Sequence, residues 1–258
     1  MDALDAEIAR WDILLSPSRT ATGMLRSAFG YRGAMWETGY PRNDALLAAD
    51  RDDRRATLRC ELGIGEDTTA ILYAPTYRDD QVDESELPLG LDPSALVTEL
   101  GTNHVLWLRP HYYLSHQRRG PGTDQVRDVS GYPDAADLYL AADVLVTDYS
   151  SAMFDFAVTG KPIIIFAYDL DHYRDRLRGF TFDLEDEGPG PVVRNQNQLV
   201  ATLRDLPAVA ADTPEQYAAF RDRYCHLEDG RAAERVATAL RHPQLKQPNA
   251  NGLLVPTS

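Results

Sequence analysis

The stretch LYLAADVLVTDYSSAMFDFAVTGKPIIIFAY (138–168) contains two apolar runs that flank a segment of helical character. The runs, at 144–147 and 162–168, show little alternation of polar and apolar residues, which is typical of strands covered on both faces of a parallel sheet. The segment 152–160 between them predicts the helix that connects two parallel strands. This stretch therefore predicts a β-α-β unit, the building block of an α/β fold.

Strands and helices alternate in the same way along the rest of the chain. Further strands are predicted at 71–77 and 104–109, with weaker ones at 12–15, 33–37, 126–129 and 191–194. Further helices are predicted at 20–29, 44–62, 93–101, 135–142 and 196–206. The alternation favours a doubly wound α/β architecture with a parallel sheet.

The C-terminal part of the sequence has a different pattern. Residues 213–242 predict two helices broken near Asp229 and Gly230, with no strand after them. The tail that follows, 243–258, is polar and aperiodic, which predicts disorder. We therefore expect a strand-helix-strand unit at 1–44, a larger α/β domain with C-terminal helices at 45–242, and a disordered tail at 243–258.

Composition and charge exclude several classes of protein. The 258 residues include 40 acidic and 26 basic side chains, a net charge of −14, which argues against a protein that binds nucleic acid through its backbone. The two cysteines lie far apart and support no disulfide framework, so a reducing compartment is expected. The longest apolar run is far shorter than the roughly 20 residues of a membrane helix. We expect a cytoplasmic chain without a membrane span or a secretion leader.

Ligands of open parallel sheets bind at the carboxyl ends of the strands, so the residues after each strand are the candidate site. Ser150 and Ser151 follow the strand at 144–147 and begin a helix, where backbone N–H groups and hydroxyls can hold a phosphate. Asp155 lies in the first turn of that helix. The alternative interpretation is an ordinary serine cap, with Asp155 favoured there by the helix dipole.

A second candidate turn lies at the end of the strand at 71–77. Pro75 frees the chain from the strand ladder and so directs the Thr76 hydroxyl toward a ligand, with Arg78 close behind. The alternative is an ordinary strand exit that carries a surface arginine.

Two more arginines follow predicted strands. The strand at 104–109 ends at Arg109, and His111 follows after Pro110. A cation close to an imidazole suits phosphoryl chemistry. The alternative for His111 is a structural histidine.

Arg42 follows the strand at 33–37 and can clamp a phosphate bidentately. Its neighbours Asn43 and Asp44 can instead cap the helix that comes next.

The sequence Asp169-Leu170-Asp171 has the D-x-D form with which some glycosyltransferases hold a divalent metal. Hard cations need further carboxylates that converge on the same point, and the sequence does not indicate them. We therefore assign no metal site and expect no required cofactor, although Mg²⁺ stays open. The chain also lacks a G-x-G-x-x-G motif, so NAD(P) binding is unsupported.

Taken together, these segments resemble the CDP-glycerol glycerophosphotransferases, the primases and polymerases of teichoic acid. The matching segments are GYPRND (39–44), YAPTYRDD (73–80), LRPH (108–111), LYLAADVLVTDYSSAMFDFA (138–157), GKPIIIFAYDLDHY (160–173) and RGFTFD (178–183). The resemblance covers roughly residues 10–240. It implies a GT-B-type fold, which has two Rossmann-like domains, with CDP-glycerol bound mostly by the second domain and residues 1–44 as an incomplete portion of the first.

The resemblance also implies roles for the candidate residues. The donor site would contain Arg42, Pro75, Thr76, Arg78, Pro110, Ser150, Ser151 and Asp155, with Arg109 and His111 as the catalytic pair. The acceptor hydroxyl would attack the glycerol-side phosphorus of CDP-glycerol and release CMP. His111 and Arg109 would neutralise charge on the transferring group or assist proton movement.

One departure from the family pattern bears on activity. Family members carry a His-Gly…Lys motif in the N-terminal domain, whose histidine is the expected general base, and no His-Gly pair occurs in this sequence. We therefore expect a donor-binding half that lacks an N-terminal half. The expected function is transfer of glycerol phosphate from CDP-glycerol to a polyol-phosphate or lipid-linked acceptor, with peripheral contact at the inner face of the plasma membrane.

Two alternatives stay open at this point. The first is a catalytically incomplete module that binds CDP-glycerol, and the second is a GT-B glycosyltransferase that uses a nucleotide sugar. Acceptor identity, glycerol or ribitol as the transferred polyol, and oligomeric state are not determined by the sequence.

Overall fold

The computed structural model describes residues 3–76, 89–110, 124–177, 181–212, 214–241 and 253–254. The strands are β1 (Ile13–Ser16), β2 (Ala34–Glu37), β3 (Thr69–Ala74), β4 (His104–Leu108), β5 (Val126–Asp128), β6 (Val144–Thr147), β7 (Ile163–Phe166), β8 (Val192–Val193) and β9 (Leu253–Leu254). The helices are α1 (Ala3–Ile8), α2 (Arg19–Phe29), α3 (Arg51–Glu61), α4 (Pro93–Leu100), α5 (Ala135–Ala141), α6 (Ala152–Ala157), α7 (Leu170–His172), α8 (Leu184–Glu187), α9 (Gln196–Leu203), α10 (Leu206–Asp212), α11 (Pro214–Cys225) and α12 (Ala232–Arg241).

The chain divides into two compact units, one formed by Met1–Ala49 with Ala219–Ser258 and the other by Asp50–Ala218. The second unit contains a six-stranded sheet of order β5-β4-β3-β6-β7-β8, in which each neighbouring pair is parallel. Numbered within the unit, this order is 3-2-1-4-5-6, the arrangement of a dinucleotide-binding Rossmann sheet. The predicted α/β parallel sheet is therefore confirmed.

Both faces of this sheet are buried, which explains the unbroken apolar runs in the sequence. On one face, Tyr73, Val146 and Phe166 belong to an apolar cluster that also includes Leu96 of α4 and Leu199 of α9. On the other face, residues such as Leu72, Trp107, Leu145 and Ile165 are at most 1% exposed. Burial on both faces excludes the polar alternation of a one-sided sheet.

The first unit contains a three-stranded parallel sheet of order β1-β2-β9. Ser18 begins α2, where its hydroxyl accepts a hydrogen bond from the Ala21 amide at 3.1 Å, and Gly30 ends it in a left-handed conformation with φ 57°. β9 lies in the tail that was predicted to be disordered, since Leu253 and Leu254 pair with Met35 and Trp36. The prediction of disorder does not hold for these two residues.

Three other predictions differ from the structure. The single helix predicted at 44–62 is instead a 3-10 helix, Pro41–Leu46, followed by α3. The helix predicted at 196–206 ends at Leu203, and α10 begins after it. Residues 219–241, predicted to belong to the larger domain, group with the first unit because Glu228 and α12 are hydrogen-bonded to residues 40–44.

No helix in the described ranges is both long enough and apolar enough to cross a bilayer.

Candidate functional site

The order of the six-stranded sheet reverses between β3 and β6, and open α/β sheets bind ligands in the crevice beyond the strand ends at such a point. Pro75 and Thr76 follow β3, and the segment 148–151 follows β6. β3 and β6 pair in register up to Ala74 and Thr147, so the two turns leave the sheet side by side. The structure therefore brings together two of the turns predicted to form the site.

Asp148 links these two turns directly. Its side chain is fully buried, and its Oδ1 accepts hydrogen bonds from the Thr76 amide at 2.8 Å and the Thr76 hydroxyl at 2.7 Å. The same oxygen accepts the amide of Tyr149 at 2.6 Å. At the last residues of the two strands, the Thr147 hydroxyl donates to the Ala74 carbonyl at 2.7 Å. These contacts hold Thr76 beside the start of the segment 148–151, which we call the serine turn.

Ser150 and Ser151 have different local roles. The Ser150 hydroxyl accepts a hydrogen bond from the Ala152 amide at 3.2 Å, so this residue caps the start of α6. Ser151 occupies the N-cap position of α6 without a side-chain capping bond, and it is exposed. Asp155 lies partly buried within the six residues of α6. The ordinary cap interpretation thus fits Ser150, whereas the hydroxyl of Ser151 is exposed and does not cap the helix.

The D-x-D aspartates are engaged with other protein groups. Asp169 accepts a hydrogen bond from the Tyr149 hydroxyl at 2.9 Å, and the Tyr149 ring stacks on Tyr173 with centroids 3.9 Å apart. Asp171 forms ion pairs with Arg174 at 2.9 Å and Arg194 at 3.6 Å. Among the described residues, no group of three or more His, Cys, Asp or Glu side chains is arranged to hold a metal ion. Asp169 therefore connects the segment after β7 to the serine turn.

Arg109 supports the loop that follows β5. Its Nη1 donates to the carbonyls of Val129 and Tyr132, both at 3.0 Å, and its amide donates to the Tyr73 carbonyl at 2.8 Å. Pro110 is buried. The predicted residues His111 and Arg78 lie outside the described part of the chain, so their predicted roles stay predictions.

In the first unit, the GYPRND segment packs against the C-terminal helices. The Arg42 guanidinium lies 4.0 Å from the centroid of the Tyr40 ring, and its side chain is exposed. Glu228 accepts the Tyr40 amide at 3.0 Å and the Asn43 side-chain amide at 3.3 Å. Nothing in the local sequence pattern indicated Glu228, because its partners are about 185 residues away in the chain.

Asp44 caps a different helix from the one predicted. Its carboxylate accepts the amides of Ala232 at 2.9 Å and Ala233 at 2.8 Å, the first amides of α12. The suggestion that Asn43 or Asp44 caps the next helix is therefore wrong for Asp44. A carboxylate at a helix start satisfies free N–H groups and opposes the positive end of the helix dipole. This contact also explains why α12 belongs to the first unit.

Replacing Asp44 with alanine is expected to lower the free energy of unfolding by about 1 kcal/mol, since two helix-start amides lose their acceptor. Urea denaturation followed by circular dichroism measures the change. Asp50 provides the control, because it precedes α3 without a side-chain capping bond. Equal losses in Asp44→Ala and Asp50→Ala would show that the Asp44 contact does not stabilise the fold.

Lys161, in the matching segment GKPIIIFAYDLDHY (160–173), has a structural role that the sequence pattern did not indicate. Its ammonium group donates to the carbonyls of Tyr139 at 3.0 Å, Leu140 at 2.6 Å and Ala142 at 2.7 Å, at the end of α5. Burial, followed by the charge of Arg55, lowers the pKa of Lys161 to about 7. The amine satisfies free carbonyls at the C-terminus of α5, so Lys161 supports the chain just before β6.

Comparison with known proteins identifies the family of this chain. Residues 2–241 match the family model described as CDP-Glycerol:Poly(glycerophosphate) glycerophosphotransferase. The chain is 41% identical over 244 residues to a teichoic acid glycerol-phosphate transferase of Staphylococcus aureus, and the match covers 93% of this chain and 62% of the relative. It is 37% identical over 238 residues to a teichoic acid poly(glycerol phosphate) polymerase of Bacillus subtilis, covering 91% of this chain and 32% of the relative.

The same relationship appears in three dimensions. The structure matches that of the wall teichoic acid polymerase TagF, in a variant soaked with CDPG, with a TM-score of 0.82 and 37% identity. The match covers 92% of this chain and 59% of that chain, so this chain spans less than two thirds of the relatives it matches. The similarity confirms the predicted α/β Rossmann-like fold of the GT-B type. The chain belongs to the CDP-glycerol:poly(glycerophosphate) glycerophosphotransferase family.

Proposed function

We propose that this chain binds CDP-glycerol at the turns after β3 and β6 and takes part in transferring glycerol phosphate to a polyol-phosphate or lipid-linked acceptor, with release of CMP. The proposal rests on one observation: Thr76 is hydrogen-bonded to the serine turn at the point where the strand order reverses. The family to which the chain belongs supports it. Ligands of Rossmann-like sheets lie at that point.

The residues at the site suit a diphosphate. Ser151 is exposed and its hydroxyl does not cap α6, so this hydroxyl can donate a hydrogen bond to a phosphate oxygen. Asp155 and the Thr76 turn would contact other polar groups of the donor. In the transfer itself, an acceptor hydroxyl oxygen bonds to the glycerol-side phosphorus and its proton passes to a base. The bond from that phosphorus to the bridging oxygen breaks, and this oxygen leaves with CMP. His111 and Arg109 remain the predicted catalytic pair.

Replacing Ser150 and Ser151 together with alanine is expected to weaken CDP-glycerol binding by about tenfold to a hundredfold, because the Ser151 hydroxyl is lost and one hydrogen bond to a charged group contributes about 1.5–3 kcal/mol. Isothermal titration calorimetry with the full chain measures the affinity. Ser94→Ala is the matched control, since Ser94 is an exposed serine in α4. Unchanged affinity in the double variant would place the donor elsewhere.

Turnover separates transfer from binding alone. CMP release from CDP-glycerol in the presence of a glycerol-phosphate oligomer supports the transferase, with this chain alone or with the N-terminal half of a relative added. Binding without CMP release under both conditions favours the catalytically incomplete binding module. A rise in melting temperature with UDP-sugars but not with CDP-glycerol would favour the glycosyltransferase.

The location of the protein is also part of the proposal. The curated relatives act on teichoic acid by their names, and we place this chain in the cytoplasm with peripheral contact at the inner face of the plasma membrane. Recovery of the chain from membranes by a salt wash would support this placement, and its absence from the membrane fraction would contradict the contact.

A further inference from the structure

The second unit holds the strands β3 and β6 together with a carboxylate at each end. At the amino end, Asp143 precedes β6, and its Oδ2 accepts the amide of Ala70 at 2.8 Å. At the carboxyl end, Asp148 accepts the amide and hydroxyl of Thr76 and the amide of Tyr149. The two aspartates join the same pair of strands, but only the carboxyl end carries the candidate site.

The chemistry of the Asp148 contact differs from that of an ordinary strand contact. A fully buried carboxylate beside a site for an anionic donor disfavours that donor by charge repulsion unless its own charge is compensated. Three donors converge on its Oδ1 at 2.6–2.8 Å, which is the geometry of strong, charge-assisted hydrogen bonds. Because one carboxylate oxygen holds both turns, replacing Asp148 is expected to change the position of both.

We propose that Asp148 is a positioning residue for the donor: its carboxylate sets the separation between the Thr76 turn and the turn that carries Ser150 and Ser151. This inference rests on the proposed function. Asp148 acts through the two turns and does not itself bind the donor. The hydrogen bond from Thr147 to Ala74 does not involve Asp148, so the strand pair keeps a tie of its own when Asp148 is changed.

The test compares Asp148→Ala and Asp148→Asn with Asp143→Asn in the full chain. Asp148→Ala is expected to bind CDP-glycerol about tenfold more weakly, because it removes the acceptor of three hydrogen bonds. Asp148→Asn keeps an acceptor oxygen at the same place and is expected to recover most of the affinity, to within about threefold of the unmodified chain. Asp143→Asn is expected to leave the affinity of the folded protein unchanged.

Hydrogen exchange supplies a readout that does not need the donor. The amides of Thr76 and Tyr149 are expected to exchange at least about tenfold faster in Asp148→Ala than in the unmodified chain, and no faster in Asp143→Asn. If Asp148→Ala does not fold, CDP-glycerol affinity and the exchange of the Thr76 and Tyr149 amides are measured in Asp148→Asn. A smaller loss of affinity and a smaller rise in exchange rate are expected there.

Three outcomes would overturn the proposal. The first is unchanged CDP-glycerol affinity in Asp148→Ala, and the second is an equal loss of affinity in Asp143→Asn, which would indicate a general effect on the fold. The third is unchanged exchange at Thr76 and Tyr149. If the unmodified chain does not bind CDP-glycerol, the proposed function fails, and the exchange data still show separately whether Asp148 ties the two turns.

Discussion

Replacing Gly190 with alanine is expected to lower the free energy of unfolding by about 3 kcal/mol or more. Gly190 lies between α8 and β8, and a Cβ atom at this position would be 1.9 Å from the Ile163 carbonyl oxygen. Backbone cannot move away as a flexible side chain can, so the chain before β8 must shift. That shift would strain the neighbouring hydrogen bond from the Ile165 amide to the Pro191 carbonyl, which is 2.9 Å long.

Urea denaturation followed by circular dichroism measures this loss. Gly131 provides the matched control, because it also lacks a positive φ and a Cβ atom there would meet nothing within 4 Å. Gly131→Ala is expected to change stability by less than about 1 kcal/mol. Similar midpoints for the two variants would show that the edge of the sheet at β8 adjusts freely.

Stability is expected to rise with pH above neutrality because of Lys161. The pKa of Lys161 is about 7 in the folded protein, whereas an unfolded lysine has a pKa of about 10.4. Between these values the unfolded chain binds a proton that the folded chain does not bind, so raising the pH favours the folded state. Between about pH 7.5 and pH 9.5, this difference adds about 2.5 kcal/mol to the free energy of unfolding.

The variant Lys161→Met is expected to lose this pH dependence. Arg55 also donates to the Leu140 carbonyl at 2.5 Å and the Ala142 carbonyl at 2.9 Å, so the end of α5 keeps donors when the ammonium group is removed. Urea denaturation of both proteins at the two pH values measures the difference in slope. Parallel pH profiles would show that Lys161 keeps its proton in the folded state.

Local sequence patterns predicted most of the strands and helices. The strand at 144–147 was predicted with its observed bounds, and the continuous apolar runs correctly indicated burial on both faces of a parallel sheet. The pattern failed at 44–62, where no glycine or proline marks the break between Leu46 and Arg51. The carboxylate of Asp44 there serves a helix 188 residues further along the chain, and local periodicity carries no record of such a partner.

The candidate site was predicted in part. Strand ends and motif resemblance singled out Thr76, Ser150 and Ser151, and the structure brings their turns together. Neither signal gave a role to Asp148, because its contacts with Thr76 join residues 72 positions apart in the chain. Arg109 was predicted as a catalytic cation, and the structure shows its Nη1 on two loop carbonyls, a contact that residue type alone does not indicate.

The sequence by itself determined the α/β class, the positions of most strands and the family, because strand burial and long motifs are recorded in neighbouring residues. Only the tertiary structure decided which turns meet. The order 3-2-1-4-5-6 places β6 beside β3, although β4 and β5 lie between them in the chain. Strand order follows from the packing of helices and strands far apart in sequence, and this packing is what brings Asp148 to Thr76.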